Sequence, residues 1–194
     1  MNNSIKISKL IKPYNKSLNI EGDKSLSIRW ALLASQALGK STSTNLLMSE
    51  DVLNTLKCLK KLGTKIKFSK NSCQIIGNGI NGFDYKKSIS LYAGNSATLG
   101  RLLLGFLIHS KSKIILKGDK SLSKRDFLRV IKPLSKFGAT IKSNSGRLPI
   151  NIKGTNFPKP IKYFENKGSA QCKSSIMLAA LNTKGTTVIK SKKS

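Results

Sequence analysis

Three stretches of the chain set glycine and small polar residues directly before an apolar run: Gly22-Asp23-Lys24-Ser25, Gly94-Asn95-Ser96-Ala97-Thr98 and Gly168-Ser169-Ala170-Gln171. Glycine lets backbone approach a ligand closely, while Ser, Thr and Asn cap a first helical turn. The free N–H groups of that turn, with the helix dipole, attract anions. Taken singly, such an opening is what ordinary helices use. Three of them, with Lys24, Arg29, Arg101 and Arg125 on or beside them, point to a shared site for a small molecule with more than one negative group. Only five of the 36 basic residues are Arg (Arg29, Arg101, Arg125, Arg129, Arg147). Where Lys is the default cation, Arg is kept where its planar fork grips a carboxylate or phosphate.

The formal charge of +28 over 194 residues is extreme, and such a balance can mark a polyanionic partner. Here the Lys residues are spread along the whole chain, as in a Lys-biased proteome, rather than gathered in an Arg-rich stripe with interleaved aromatics. No nucleic-acid partner is expected, although a basic nucleic-acid-binding module stays open on charge alone. Cys58, Cys73 and Cys172 are odd in number and widely spaced, which suggests neither a disulfide framework nor a zinc site. His109 follows the apolar run Leu102–Ile108 and reads as a residue closing a helix. No stretch approaches the roughly 18 apolar residues of a membrane span, and the first 16 residues lack the apolar core of a signal peptide. A cytoplasmic protein with no membrane partner is expected.

The elements that must position these openings repeat. Gly-Asp-Lys-Ser-Leu-Ser occurs from Gly22 and again from Gly118, and the stretch from Asp51 aligns with the stretch from Asp126 at a constant offset of 75, Gly63 falling on Gly138. Val52, Leu53, Leu56, Leu59 and Leu62 lie at helical spacing, as do Phe127, Leu128, Ile131, Leu134 and Phe137. Gly63 and Gly138 read as helix stops, followed by strands at 64–68 and 139–142, polar turns, and second strands "CQII" and "LPINI". Pro133 predicts a kink or a late helix start. The runs from Ser25, Ser96 and Ser169 each give an Ala- and Leu-rich helix, apolar nearly all round and so expected inside the domain, then a β-prone segment. The unit is strand, helix, strand, helix, strand, strand, with two copies and a third beginning near Lys162.

In order and spacing, "GDKSLSIRWALLAS", "EDVLNTLKCLKKLG", "AGNSATLGRLLLG", "GDKSLSKRDFLRVIKPLSKFGA", "GRLPINIKG" and "GSAQCKSSIMLAALNTKGTTVI" resemble the N-terminal part of the EPSP synthases, the enolpyruvyl transferases of the shikimate pathway. The resemblance covers nearly the whole chain. It implies an α/β (α+β) lobe of repeated βαβαββ units about a pseudo-threefold axis, with parallel inner helices, residues 21–194 forming the first lobe. Residues 1–20 would be an N-terminal segment that could belong to the other lobe. The doubled Gly-Asp-Lys-Ser would then be in part a trace of the repeat, its first copy also a binding turn.

Carried onto this sequence, the resemblance makes Lys24 a contact to both substrates and gives Lys24 and Arg125 the catalytic roles. Ser25, Arg29, Ser169, Ala170 and Gln171 would hold shikimate 3-phosphate. Asn95, Ala97, Thr98, Arg125 and Gln171 would form the phosphoenolpyruvate pocket. Ser25 and Ser169 could instead be plain helix caps, Arg125 could pair with Asp119 or Asp126, and Asp51 could simply begin its helix. Arg101 would brace the pocket and Lys120 would be structural. No cofactor and no metal are implied.

Two departures matter. Ala97 stands where the family commonly has Gly, so an extra methyl should weaken inhibition by glyphosate at some cost in phosphoenolpyruvate affinity. The family also runs to about twice this length, and the carboxylates and further cations of the second lobe have no counterpart here. The sequence therefore reads as a fragment, active only when joined to or complemented by that lobe, which would be a partner if expressed separately. The related UDP-N-acetylglucosamine enolpyruvyl transferases are the alternative, but they typically carry Lys-Asn in the first motif and a reactive loop Cys.

Overall fold

The computed structural model describes residues 20–69, 72–85 and 87–192. Within them, α1 (Lys24–Gln36), β1 (Leu38–Thr44), α2 (Glu50–Lys61), β2 (Lys65–Phe68) and β3 (Ser72–Asn78) form a first unit. A second comprises β4 (Ile89–Tyr92), α3 (Ala97–Leu107), β5 (Ile114–Lys117), α4 (Lys120–Ser123), α5 (Leu128–Ser135), β6 (Thr140–Asn144) and β7 (Arg147–Lys153). Then come β8 (Lys162–Glu165), α6 (Ala170–Ala180) and β9 (Val188–Ser191).

Strand pairing shows the repeat directly. The second sheet has the order β4-β5-β7-β6, with β4 and β5 parallel and the other neighbours antiparallel. The first sheet, β1-β3-β2, reproduces the antiparallel part, and the parallel pair β8-β9 reproduces β4-β5. The βαβαββ unit read from the sequence is thus the unit of the fold. The opening strand of the first unit, and the expectation for the N-terminal segment short of Ile20, fall outside the described residues.

The hexapeptide repeat does not follow this architecture. Its first copy opens α1, the first helix of a unit, whereas its second opens the single turn α4, inserted between β5 and α5. The two copies are therefore not equivalent positions, and the reading of the pair as a trace of the repeat is corrected. They share a local device instead: Asp23 Oδ1 accepts from the Leu26 amide at 2.7 Å, and Asp119 Oδ1 from the Leu122 amide at 2.6 Å. A capping Asp works wherever a helix begins.

Helix limits follow the sequence signals closely. Gly63 and Gly138 have φ of 89° and 106°, the left-handed conformation that ends α2 and the turn after α5. The late start expected from Pro133 is realised: α5 begins at Leu128, while the 75-residue offset puts the counterpart of Glu50 at Arg125. A proline within an eight-residue helix leaves few hydrogen bonds to lose.

Among the inner helices, α3 alone is enclosed. Nine of its eleven residues are buried, packed by α1, α5, α6 and β7. In α1 and α6 the outer positions Leu26, Leu33 and Met177, with Leu181 just past α6, stay at least half exposed, so the expectation of three wholly internal helices holds only for α3. The reason is geometric. Residues of α1, α3 and α6 border a shallow apolar groove of about 160 Å³, and no second helix is packed there among the described residues.

Where α3 meets α6 the backbones nearly touch. A methyl on Gly105 would overlap the Ser175 carbonyl oxygen, and Ser175 Oγ donates to the Arg101 carbonyl at 2.8 Å. In an exposed helix Gly→Ala stabilises by roughly 1 kcal/mol. At this seam Gly105→Ala is expected to destabilise by about 2–3 kcal/mol through overpacking, read as a lowered denaturant midpoint. A raised midpoint would mean that the seam is not closed.

Candidate anion-binding site at the helix openings

Each opening is built from its own residues. At α1, Asp23 is the cap, which frees Ser25 from that role; the alternative that Ser25 caps the helix is corrected. Ser25 lies in the first turn, where its Oγ and its carbonyl both accept from the Arg29 guanidinium, the latter at 3.3 Å. At α3, Ser96 caps by accepting from the Leu99 amide at 3.3 Å, leaving Asn95 before the helix and Ala97 and Thr98 in its first turn. At α6, Ser169 is the cap, accepting from the Cys172 amide, and Ala170 and Gln171 follow.

The openings are joined side by side. Lys24 Nζ lies 3.2 Å from Asp51 Oδ2 in the first turn of α2, the one ion pair among the described residues. The same helix presses its Asn54 and Glu50 side chains against Gly94, where any Cβ would collide with the Asn54 amide. Next to Gly94, Asn95 Oδ1 accepts from Arg125 at 3.3 Å. Arg125 is brought there by the second hexapeptide, since Asp119 N donates to the Gly94 carbonyl at 2.9 Å and Ala93 N to the Lys117 carbonyl at 2.8 Å. Lys120 in that turn is exposed. In the first turn of α3, Thr98 Oγ1 accepts from Gln171 Nε2 at 3.0 Å, and Gln171 Oε1 accepts from Arg101 at 2.6 Å. Lys24, Arg125 and Gln171 thus connect through α2 and α3 at one end of the helices.

Arg125 makes no ion pair with Asp119 or Asp126, and Asp51 does more than begin a helix, because it holds Lys24. Arg101 is half-buried, with its guanidinium over the Phe127 ring and a second bond to the Asp126 carbonyl at 3.2 Å. Burial pushes its pKa down, and the nearby Arg129 and Arg125 push the same way. His109 Nε2 donates to the Ala179 carbonyl at 3.4 Å, just past the end of α3, as a helix-closing residue should. All three cysteines are buried. Burial raises the Cys58 thiol to about 11 and lifts Cys73 as well, so neither supplies a reactive thiolate. Among the described residues no group of His, Cys, Asp and Glu side chains could hold a metal ion.

Sequence reasoning missed Glu165. It is 3% exposed, at the end of β8, and its oxygens accept from Tyr163 Oη at 2.7 Å and the Lys167 amide at 2.8 Å. Burial pushes its carboxyl up, but these bonds, the Ser169 amide and the Arg129 charge outweigh it and hold the pKa below the ordinary value. The carboxylate thereby pins the turn that leads into Ser169 and Gln171. The signal available was scarcity: eight acidic residues against 36 basic ones make each Asp or Glu as informative as an Arg.

A family model described as EPSP synthase (3-phosphoshikimate 1-carboxyvinyltransferase) matches residues 9–194. Relatives named 3-phosphoshikimate 1-carboxyvinyltransferase include those of Ruthia magnifica subsp. Calyptogena magnifica, 44% identical over 185 residues, and Endomicrobium trichonymphae, 40% identical over 174. These alignments cover 93% and 89% of this chain but 42% and 40% of the relatives. A solved EPSP synthase from Acinetobacter baumannii superposes with a TM-score of 0.85 at 37% identity, covering 91% of this chain and 40% of that one. The chain spans about two fifths of the length of the curated relatives it matches.

The Glu165 cluster can be tested without any ligand. Because its folded pKa lies below its ordinary 4.5, its contribution to stability is full above that value and lost as pH falls through the folded value. Melting temperature measured from neutral to strongly acidic pH should therefore fall less steeply in Glu165→Gln than in the parent, with the variant less stable at neutrality. Parallel curves would place no ionised carboxylate under the turn.

Proposed function

The chain belongs to the EPSP synthase family, and from that premise we propose that residues 21–194 are its first lobe, which grips shikimate 3-phosphate and phosphoenolpyruvate at the joined helix openings. The observations that support this reading are the contacts that tie the openings together: Lys24 to Asp51 at the head of α2, Arg125 to Asn95 just before α3, and Gln171 to Thr98 in the first turn of α3. In it, Lys24 reaches both substrates, while Ser25, Arg29, Ser169, Ala170 and Gln171 take shikimate 3-phosphate. Asn95, Ala97, Thr98 and Arg125, again with Gln171, form the phosphoenolpyruvate pocket. The chain acts in the cytoplasm, and its dispersed Lys residues form a solvated surface rather than a nucleic-acid footprint.

The reaction is enolpyruvyl transfer. The 5-hydroxyl oxygen of shikimate 3-phosphate bonds to C2 of phosphoenolpyruvate while C3 gains a proton and the hydroxyl loses one. A proton then leaves C3, the C2–O bond to phosphate breaks, and 5-enolpyruvylshikimate 3-phosphate and phosphate depart. Lys24, Arg125 and the exposed amides of the three first turns stabilise the anions and the charge of the tetrahedral adduct. The proton transfers need acids and bases that the other lobe of the family supplies, and its closure excludes water and aligns the two substrates.

Shikimate 3-phosphate at saturating concentration should raise the melting temperature of the chain by a few degrees, and Lys24→Ala or Ser169→Ala should abolish the shift. A shift produced by DNA at low salt, and none by shikimate 3-phosphate, would favour the nucleic-acid reading instead. Alone, the chain should release no phosphate over multiple turnovers.

Ala97 is buried at the head of α3, and in this reading its methyl narrows the phosphoenolpyruvate pocket. When the chain is complemented by a family second lobe, Ala97→Gly should lower the glyphosate inhibition constant about tenfold, the scale of one methyl group in a close-fitting pocket. An unchanged constant would remove Ala97 from the pocket wall.

A further inference from the structure

Arg101 ends no ion pair and lies one helical turn past Thr98, yet it fixes which way a hydrogen-bond chain runs. A guanidinium carries only donors, so the Gln171 amide atom facing it at 2.6 Å must be the oxygen. The Gln171 nitrogen is thereby turned toward Thr98, where it donates to Oγ1 at 3.0 Å. A hydroxyl that accepts this bond still has one proton to give, and Thr98 gives it to no acceptor among the described residues. The i−4 carbonyl, Gly94 O, accepts from the Asp119 amide and receives no bond from Thr98. Arg101 Nε is itself buried without a partner, so the guanidinium is not seated where its own hydrogen bonds would be best satisfied. It is held instead by the Gln171 and Asp126 oxygens and by the Phe127 ring.

We propose that Arg101 is a positioning residue that sets the polarity of the chain Arg101→Gln171→Thr98, so that the Thr98 hydroxyl is presented to the pocket as a donor and selects a ligand oxygen able to accept. The inference rests on the functional reading above and deepens it: the head of α3 is specific for an ionised carboxylate or phosphate oxygen and discriminates against a protonated one. Without Arg101 the Gln171 amide is free to turn. Its oxygen can then take the Thr98 proton, and the pocket loses a donor although every other side chain stays in place. Arg101 acts through Gln171 and touches no ligand.

The test is a double-mutant cycle between Arg101 and Thr98, which share no hydrogen bond, read as phosphoenolpyruvate affinity of the 194-residue chain by calorimetry. Loss of the Arg101 charge weakens anion binding equally in both Thr98 backgrounds and cancels, leaving only the loss transmitted through Thr98. Arg101→Met should weaken binding about tenfold with Thr98 present and less than about threefold in the Thr98→Val background. Arg101→Lys, which still offers only donors, should stay within about threefold of the parent, whereas Arg101→Gln, able to present an oxygen to Gln171, should lose about tenfold. If Arg101→Met fails to fold, as thermal melting will show, the Lys and Gln variants in the two Thr98 backgrounds give the same cycle. Equal losses in both backgrounds overturn the relay and leave the functional reading standing. Absence of phosphoenolpyruvate binding by the parent at millimolar concentration overturns both.

Discussion

The seam between α3 and α6 is the constraint on which the site depends. At Gly105 the two backbones approach as closely as a missing side chain allows, and one turn away Ser175 ties the Arg101 carbonyl. That contact fixes the axial register of the helices. With register fixed, the first turns of α3 and α6 come level, and Thr98, Gln171 and Arg101 meet across the gap. Shifting one helix by a single residue, about 1.5 Å, would break each of those bonds. The apolar packing around α3 therefore does chemical as well as structural duty: it brings the uncapped amides of neighbouring helices to one place, where their partial charges add.

Much of this was readable in the residues. The βαβαββ unit followed from the 75-residue offset and from Gly63 and Gly138, because a left-handed stop after a patterned helix leaves few alternatives. The three openings were legible because Gly with Ser or Asn before an apolar run has a local meaning. Arg125 was singled out by type, and the structure sets it beside Asn95, a partner that could not be read from the sequence. Long-range pairing is set by the fold: Gln171 and Thr98 are 73 positions apart.

What escaped the sequence was enclosure. Ala- and Leu-rich composition made α1, α3 and α6 look alike, yet only α3 is walled on every side. Burial depends on neighbours, and composition reports only what a helix could tolerate. Glu165 was passed over for a related reason. An acid in a β-prone segment looks like a solvated edge residue until Tyr163 and the following amides are seen to converge on it.

The hexapeptide Gly-Asp-Lys-Ser-Leu-Ser carries a lesson about inheritance. Its copies cap helices in the same way but occupy different stations, one at the head of an inner helix and the other in an insert before α5. Anyone reconstructing a common progenitor of the units by superposing the most similar words would lay α1 over α4 and put every strand out of step. Pairing of the strands, not spelling, is the safe guide to descent in this chain.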